Sequence, residues 1–223
     1  MSIEKINSAK GALKYVKDGM CIGLGTGTTV REFIPLLAKK MKDEKLKITA
    51  VCTSYDTRML AFEHEIFVLE PDNATKIDLA VDGADIATAN ALLKGGGGAL
   101  TREKIVDYAA KEFLIIMDEA KLKKELEGRV VIEVLPFAVG LVIQELKKIS
   151  PDVSVRFGDR KAGPVISDNG NFLLDWTIKV KNPKEMEERL NSIPGIVENG
   201  IFTKFSKLII GTKTGFREID FSK

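Results

Sequence analysis

Histidine and cysteine are nearly absent from this chain. Its 223 residues include one histidine, His64, and two cysteines, Cys21 and Cys52. A single histidine rules out a multi-histidine metal centre by count. A triad built on histidine would have to use His64, which sits in the polar stretch Glu63-His64-Glu65 with nothing like a nucleophile elbow around it. It reads as an ordinary surface residue. The cysteines stand apart in apolar, strand-like segments and form no Cys-x-x-Cys pair, which argues against a disulfide framework and a thiolate zinc site. Charge of one sign is not in excess either: 34 Lys and Arg against 32 Asp and Glu leave a net charge of +2. A dedicated nucleic-acid binder normally carries a strong basic excess, so no nucleic-acid partner is expected. Long apolar runs are missing. Phe-Leu-Ile-Ile-Met at 113–117 is typical of the longest, far short of the ~18 residues a membrane span needs. The opening MSIEKINSAK has no apolar signal-peptide core, so a cytoplasmic protein is expected.

What is present describes a folded chain. Hydrophobic residues make up 44% and charged residues 30%, outside the disordered range. Over residues 1–127, helix-like and strand-like patterns alternate. Strands are predicted at 20–25 (MCIGLG), 47–52, 66–70, 77–82 (IDLAVD) and 113–118 (FLIIMD). Helices are predicted at 3–17, at 29–42 with Pro35 as a kink or late start, at 54–63 with Ser54 as N-cap, and at 101–112. Short apolar strands alternating with helices imply a parallel sheet covered on both faces. After Gly128 the rhythm changes to strand, helix, strands, helix and strand, with Asn169-Gly170 as a hairpin turn and Pro183 opening a helix. That order suggests a small α+β unit of the ferredoxin-like kind. The run SKLIIGT at 206–212 reads as a strand that rejoins the first sheet. The expected organisation is a Rossmann-like α/β domain, 1–127 plus 204–223, carrying an inserted ferredoxin-like domain, 128–203. KLKKELEGR at 121–129 reads as a solvated helix face beyond Lys121 itself, Trp176 reads as packing or interface, and the apolar face of FAVGLVIQEL, Phe137 included, reads as core of the second domain.

Three glycine-containing turns follow strands, where open α/β sheets place their ligands. The first, GLGTGTT at 23–29, fails the dinucleotide pattern because position 28 is Thr, and fails the Walker pattern for want of a lysine. It leaves Gly27 and the hydroxyls of Thr26, Thr28 and Thr29 at a helix N-terminus, a setting that suits a phosphate or carboxylate and equally suits a plain helix cap. The second, VDGAD at 81–85, flanks Gly83-Ala84 with Asp82 and Asp85. Such carboxylates bind hydroxyls, move protons or hold a metal, and in other proteins simply close an Asx turn. The third is KGGGGALTREK at 94–104. Four successive glycines cost conformational entropy, and close approach of backbone to a ligand is one reason to carry them. Lys94 enters the run and Glu103 falls in the first turn of the next helix, where the helix dipole favours the carboxylate while burial opposes it. By position alone Glu103 also fits a capping role.

Taken together, GTGTT, DGAD and KGGG followed by Glu, in that order and with Asp118-Glu-Ala-Lys121 after the next strand, resemble the type A ribose-5-phosphate isomerases. The resemblance runs through the chain and includes the later α+β domain. One departure is visible, Ile86 where such proteins commonly have Glu after DGAD. The resemblance implies interconversion of ribose 5-phosphate and ribulose 5-phosphate through an enediolate, as part of the non-oxidative pentose phosphate pathway. It implies Glu103 as the base between carbon 1 and carbon 2. It implies Lys94 with the N–H groups of Gly95, Gly96 and Gly97 at the oxyanion and hydroxyls. Asp82, Gly83, Ala84 and Asp85 would lie along the sugar, with ring opening and proton shuttling not divided between the two aspartates. Thr26, Gly27, Thr28 and Thr29 would form the substrate-binding turn, Thr28 and Thr29 nearest the phosphate, with Lys121 as a substrate-binding lysine and Lys5 as added charge. No metal or cofactor is implied, and a homodimer or homotetramer is.

Three other readings are open to the same fold. A sugar-phosphate-sensing regulator would need a DNA-binding module, and only 19 residues precede the first expected strand. A coenzyme A transferase would use its glutamate as a nucleophile; the DGAD and KGGG pair argues against it. The third is a neighbouring sugar-phosphate isomerase or a deaminating isomerase.

Overall fold

The computed structural model describes residues 2–221. In chain order the strands are β1 Cys21–Leu24, β2 Thr49–Cys52, β3 Phe67–Val68, β4 Ile77–Asp82, β5 Ile86–Ala87, β6 Leu92–Leu93, β7 Ala110–Asp118, β8 Leu126–Val134, β9 Val153–Val155, β10 Phe172–Val180, β11 Ile196–Asn199, β12 Ile201–Phe202, β13 Lys207–Gly211 and β14 Phe216–Asp220. The α-helices are α1 Ile3–Ala12, α2 Val30–Glu44, α3 Tyr55–Glu63, α4 Leu100–Ala109, α5 Val139–Lys147 and α6 Pro183–Asn191. The chain divides into two compact units. One takes the chain up to Ala84, Arg102–Lys121 and the chain from Lys204 onward; the other takes Asp85–Thr101 and Leu122–Thr203. The expected organisation places 85–101 in the first domain. The structure groups it with the second unit because β5 and β6 pair with each other and β6 with β12, in a sheet that belongs wholly to that unit.

The first unit is built on a seven-stranded sheet of order β14-β13-β7-β4-β1-β2-β3, parallel except for β14. Alternation along the strands explains why both faces need cover. Ile22 and Leu24 of β1, with Leu79 and Val81 of β4, point to one face and pack with Ala9 of α1 and Phe33 and Leu37 of α2. Cys21 and Val51 point to the other face and, with Ile77 at the start of β4, pack against Val106 of α4. The predicted strand at 206–212 does rejoin this sheet, as β13 beside β7. Ser54 caps α3 as expected, its hydroxyl accepting from the Thr57 N–H at 3.1 Å. Pro35 lies inside α2, which starts at Val30 and is capped after Glu44 by Lys45 in the left-handed region, so there is no late start. The strand expected over 66–70 shrinks to the two residues of β3 at the sheet edge.

In the second unit β8-α5-β9-β10-α6-β11 follow one another, and the sheet order β11-β8-β10-β9 is antiparallel throughout. This is the ferredoxin-like order. Trp176 is fully buried with Leu174, Val130, Ile132, Val142 and Leu146, and its indole N–H donates to the Ser150 carbonyl at 3.2 Å. The Asn169-Gly170 turn forms with Gly170 at φ +82°. Two expectations are corrected here. The segment 121–129 is not a helix face: Leu126–Arg129 open β8, which pairs with β10 over its whole length. Its charges suit a solvated helix, yet Glu127 and Arg129 alternate with Leu126, Gly128 and Val130 at the period of a strand. Phe137 is not core; it is 98% exposed on the short turn Pro136–Ala138 before α5, and the buried face of α5 is Val142 and Leu146.

Candidate active site

In the first unit the chain leaves β1 toward β2 on one side, while β4, β7 and β13 extend the sheet on the other. The carboxyl ends of β1 and β4 are therefore the topological switch point, where open α/β sheets bind ligands. Two of the motifs lie there. Gly25 follows β1 directly, and its N–H donates to the Val81 carbonyl at 3.0 Å, tying the turn to β4. Asp82 is the last residue of β4 and fully buried. Its Oδ1 accepts from the N–H of Thr26 at 3.1 Å and from that of Gly83 at 2.6 Å. A Cβ on Gly25 would fall 1.9 Å from the Asp82 carboxyl carbon, so glycine is required by close approach.

The threonines of the turn do different things. The Thr26 hydroxyl is turned inward, 2.7 Å from Thr53 Oγ1 and donating to Ser54 Oγ at 2.8 Å, while Thr57 donates to the Gly25 carbonyl at 2.7 Å. Gly27 takes φ +129°. Thr28 is exposed, and its hydroxyl accepts from the Lys5 ammonium at 2.8 Å. Thr29 precedes α2 and is 2% exposed; its hydroxyl makes no hydrogen bond within the described residues. A buried hydroxyl at the N-terminus of a 15-residue helix, beside a lysine-bound threonine, is suited to a phosphate group.

Glu103 stands in the first turn of α4 and is 2% exposed. A helix joining parallel β4 to β7 runs back against the strands, so its N-terminus lies at their carboxyl ends. Val106, one turn further along α4, packs on Cys21 and Ile77 and so seats the helix on the sheet. Ala84 is buried and Gly83 half-buried; the Ala84 carbonyl accepts from the Lys121 ammonium at 2.5 Å, which fixes that lysine beside DGAD.

The remaining motif residues belong to the second unit. Asp85 is exposed; its N–H donates to the Leu93 carbonyl at 2.8 Å and its Oδ2 accepts from the Gly96 N–H at 2.8 Å. Lys94 is 2% exposed, with its ammonium 5.3 Å from the centre of the Phe202 ring. Gly95 and Gly98 have positive φ, and the Gly98 N–H closes a turn on the Gly95 carbonyl at 2.9 Å. Gly97 at its tip is exposed. Ile86, the departure after DGAD, opens β5 and packs toward Gly128, where a Cβ would meet its Cδ1 at 2.7 Å.

Two groups escaped the sequence reading. Arg156, just past β9, donates through Nη1 to the carbonyls of Gly95 and Gly96 at 3.3 and 3.2 Å. Glu133 is fully buried and accepts from Thr101, Ser167, Asn169 and Asn171. The available signal was a charged residue within an apolar strand pattern, VSVRF and VVIEV; neither stretch carries a motif. Among the described residues no three His, Cys, Asp or Glu side chains gather as a metal site, and no helix is long and apolar enough to cross a membrane.

Comparison with known proteins agrees over most of the chain. The family described as ribose 5-phosphate isomerase A (phosphoriboisomerase A) matches residues 49–215. The chain is 49% identical over 211 residues to ribose-5-phosphate isomerase A of Methanococcus aeolicus, covering 93% of this chain and 90% of that protein. It is 43% identical over 228 residues to the Pyrococcus horikoshii protein of the same name, covering 99% and 100%. The solved Methanocaldococcus jannaschii enzyme superposes with a TM-score of 0.94 at 44% identity, covering 97% of each chain. A D-ribose-5-phosphate isomerase in complex with phospho-erythronic acid gives 0.95 at 44% identity, covering 99% and 100%. With these matches joined to the GTGTT, DGAD and KGGG segments, the chain belongs to the ribose 5-phosphate isomerase A family.

Proposed function

We propose that the chain interconverts ribose 5-phosphate and ribulose 5-phosphate, with Glu103 as the base that carries the proton between carbon 2 and carbon 1. The observation that carries this reading is the first turn of α4, which holds a buried carboxylate at the carboxyl ends of the strands, where Asp82 is locked beside the GTGTT turn. An aldose–ketose isomerase needs one base over two adjacent carbons, donors for the developing oxyanion and a proton route between two oxygens. Glu103 takes the proton from carbon 2 of the open-chain aldose, leaving an enediolate. It returns the proton to carbon 1 as the carbonyl forms at carbon 2. Lys94 and the N–H groups of the glycine run supply donors to the oxygen that gains charge. Thr28, Thr29 and Lys5 hold the phosphate at the α2 N-terminus. Asp82, Asp85 and Lys121 hold sugar hydroxyls and serve ring opening and the proton route between oxygen 1 and oxygen 2. The complex of a family member with phospho-erythronic acid supports a phosphorylated sugar acid as a mimic of that enediolate.

The test measures ribulose 5-phosphate formed from ribose 5-phosphate in excess chelator, by the parent and by Glu103→Gln. Activity in the parent and a fall of about a hundredfold or more in the variant are expected. An active variant moves the base to Asp82 or Asp85, and an inactive parent that binds the sugar phosphate favours a sensor. The finer expectation of a homodimer or homotetramer is supported by the exposed Leu135, Phe137 and Leu141 of the second unit, apolar surface that a partner copy would cover. Sedimentation that returns only the 24.5 kDa monomer at micromolar concentration would remove it.

A further inference from the structure

The glycine run at 95–98 is the least constrained backbone in the chain by composition, yet two of its carbonyls are held by one side chain. Arg156 is 13% exposed and its guanidinium is split. Nε donates to both oxygens of Asp175 at 3.1 and 3.0 Å, and Nη2 donates to Asp175 Oδ1. Nη1 faces the carbonyls of Gly95 and Gly96. Asp175 sits on β10, so the guanidinium is anchored to the four-stranded sheet by a bidentate pair, and its remaining donors reach the loop. The consequence follows from peptide geometry. No peptide bond among the described residues is cis, and in a trans peptide the C=O of one residue and the N–H of the next point in opposite directions. Fixing the Gly95 and Gly96 carbonyls on Arg156 therefore turns the Gly96 and Gly97 N–H groups away from it. The Gly96 N–H is found on Asp85 at 2.8 Å, as this requires. A cation on the carbonyl side also polarises the same peptide units and strengthens their N–H groups as donors.

We propose that Arg156, braced by Asp175, is a positioning residue for the isomerisation: it orients and polarises the Gly96 and Gly97 peptides so that their N–H groups meet Asp85 and the developing oxyanion. The inference rests on the proposed function for the role of those N–H groups, while the clamp itself is testable without it. The experiment uses the full chain with Arg156→Gln and Arg156→Lys. It reads kcat and KM for ribose 5-phosphate, inhibition by phospho-erythronic acid and by inorganic phosphate, and amide hydrogen exchange at residues 95–98. With Gln, exchange over the run is expected to quicken and kcat to fall about tenfold or more, as for loss of an oxyanion donor, with KM moved much less. Inhibition by phospho-erythronic acid should weaken about as much as kcat falls, and inhibition by inorganic phosphate should hold, because the phosphate turn is elsewhere in the chain. Lys should restore only part of kcat, since an ammonium cannot serve Asp175 and two carbonyls in one fork. Unchanged exchange and kcat in both variants overturn the proposal. So does equal weakening of both inhibitors with a lowered melting point, which is a general structural fault. If Gln prevents folding, Lys carries the same readouts. If the parent is inactive, the proposed function fails, and hydrogen exchange still decides whether Arg156 holds the run.

Discussion

Gly25 has no room for a side chain, and the reason is Asp82. Gly25→Ala would force its methyl into the Asp82 carboxylate, 1.9 Å from Cγ, and break the hold of the Thr26 and Gly83 N–H groups on it. Overpacking of this kind costs about 1–3 kcal/mol. Isomerase activity is expected to fall far more than the urea midpoint, and an active Gly25→Ala would show that the Asp82 orientation is dispensable. Asp78 carries a pH dependence. Burial pushes its carboxyl up, but the Cys21 N–H and the ammonium groups of Lys76 and Lys111, all at 3.1 Å, outweigh that and hold it at about 2. An unfolded aspartate titrates near about 3.9. A depressed folded pKa adds stability above the unfolded value and loses it as pH falls through the folded one. The parent should melt above Asp78→Asn at pH 7, and the gap should close between about pH 4 and pH 2. A gap that persists at pH 2 would mean the carboxylate charge is not its source. Burial also pushes the Cys52 thiol up to about 12 and Cys21 is buried, so iodoacetamide at pH 8 should label the folded chain slowly and the urea-unfolded chain quickly.

Among the elements, the N-terminus of α4 shows how a helix end is held. Thr101, two residues before Glu103, donates to Glu133 of β8 at 2.5 Å. Ser167 and Asn171 donate to the same carboxylate at 2.8 Å each, and Asn169 at 3.1 Å. Glu133→Ala would leave these buried donors without their acceptor, which costs about 3 kcal/mol or more. Glu133→Gln keeps an acceptor oxygen and should lose less; equal losses would show that the charge rather than the acceptor matters. Helix caps and strand runs with clear periodicity were legible: Ser54 before α3, Pro183 opening α6 and the apolar β4 and β7 follow from local chemistry. The start of β8 was not, because Lys, Glu and Leu favour a helix locally and only pairing with β10 decides otherwise.

For the whole molecule, connectivity matters most. The chain passes between its two units four times, and β13 and β14, which complete the seven-stranded sheet beyond β7, come from residues after the second unit has been traversed. Neither unit is a continuous segment, so we expect one cooperative transition. Trp176, the single tryptophan, is buried in the second unit and reports that unit alone. Its fluorescence and the far-ultraviolet circular dichroism should give coincident urea curves; separated midpoints would show that the units unfold independently.

The sequence by itself determined the alternation of strands and helices, the switch to an α+β rhythm after Gly128, and the three glycine-bearing turns, because these are written in local periodicity and backbone freedom. It also placed Glu103 in the first turn of a helix. Only the tertiary structure decided that residues 85–101 pair within the second unit, that Phe137 faces solvent, and that Lys5 reaches Thr28. It alone joined Arg156 to the glycine run across 60 residues of chain. Such contacts depend on strand order and register, which no local pattern encodes, and a single arginine or glutamate in or just past an apolar strand gives no sign of the partner it will meet.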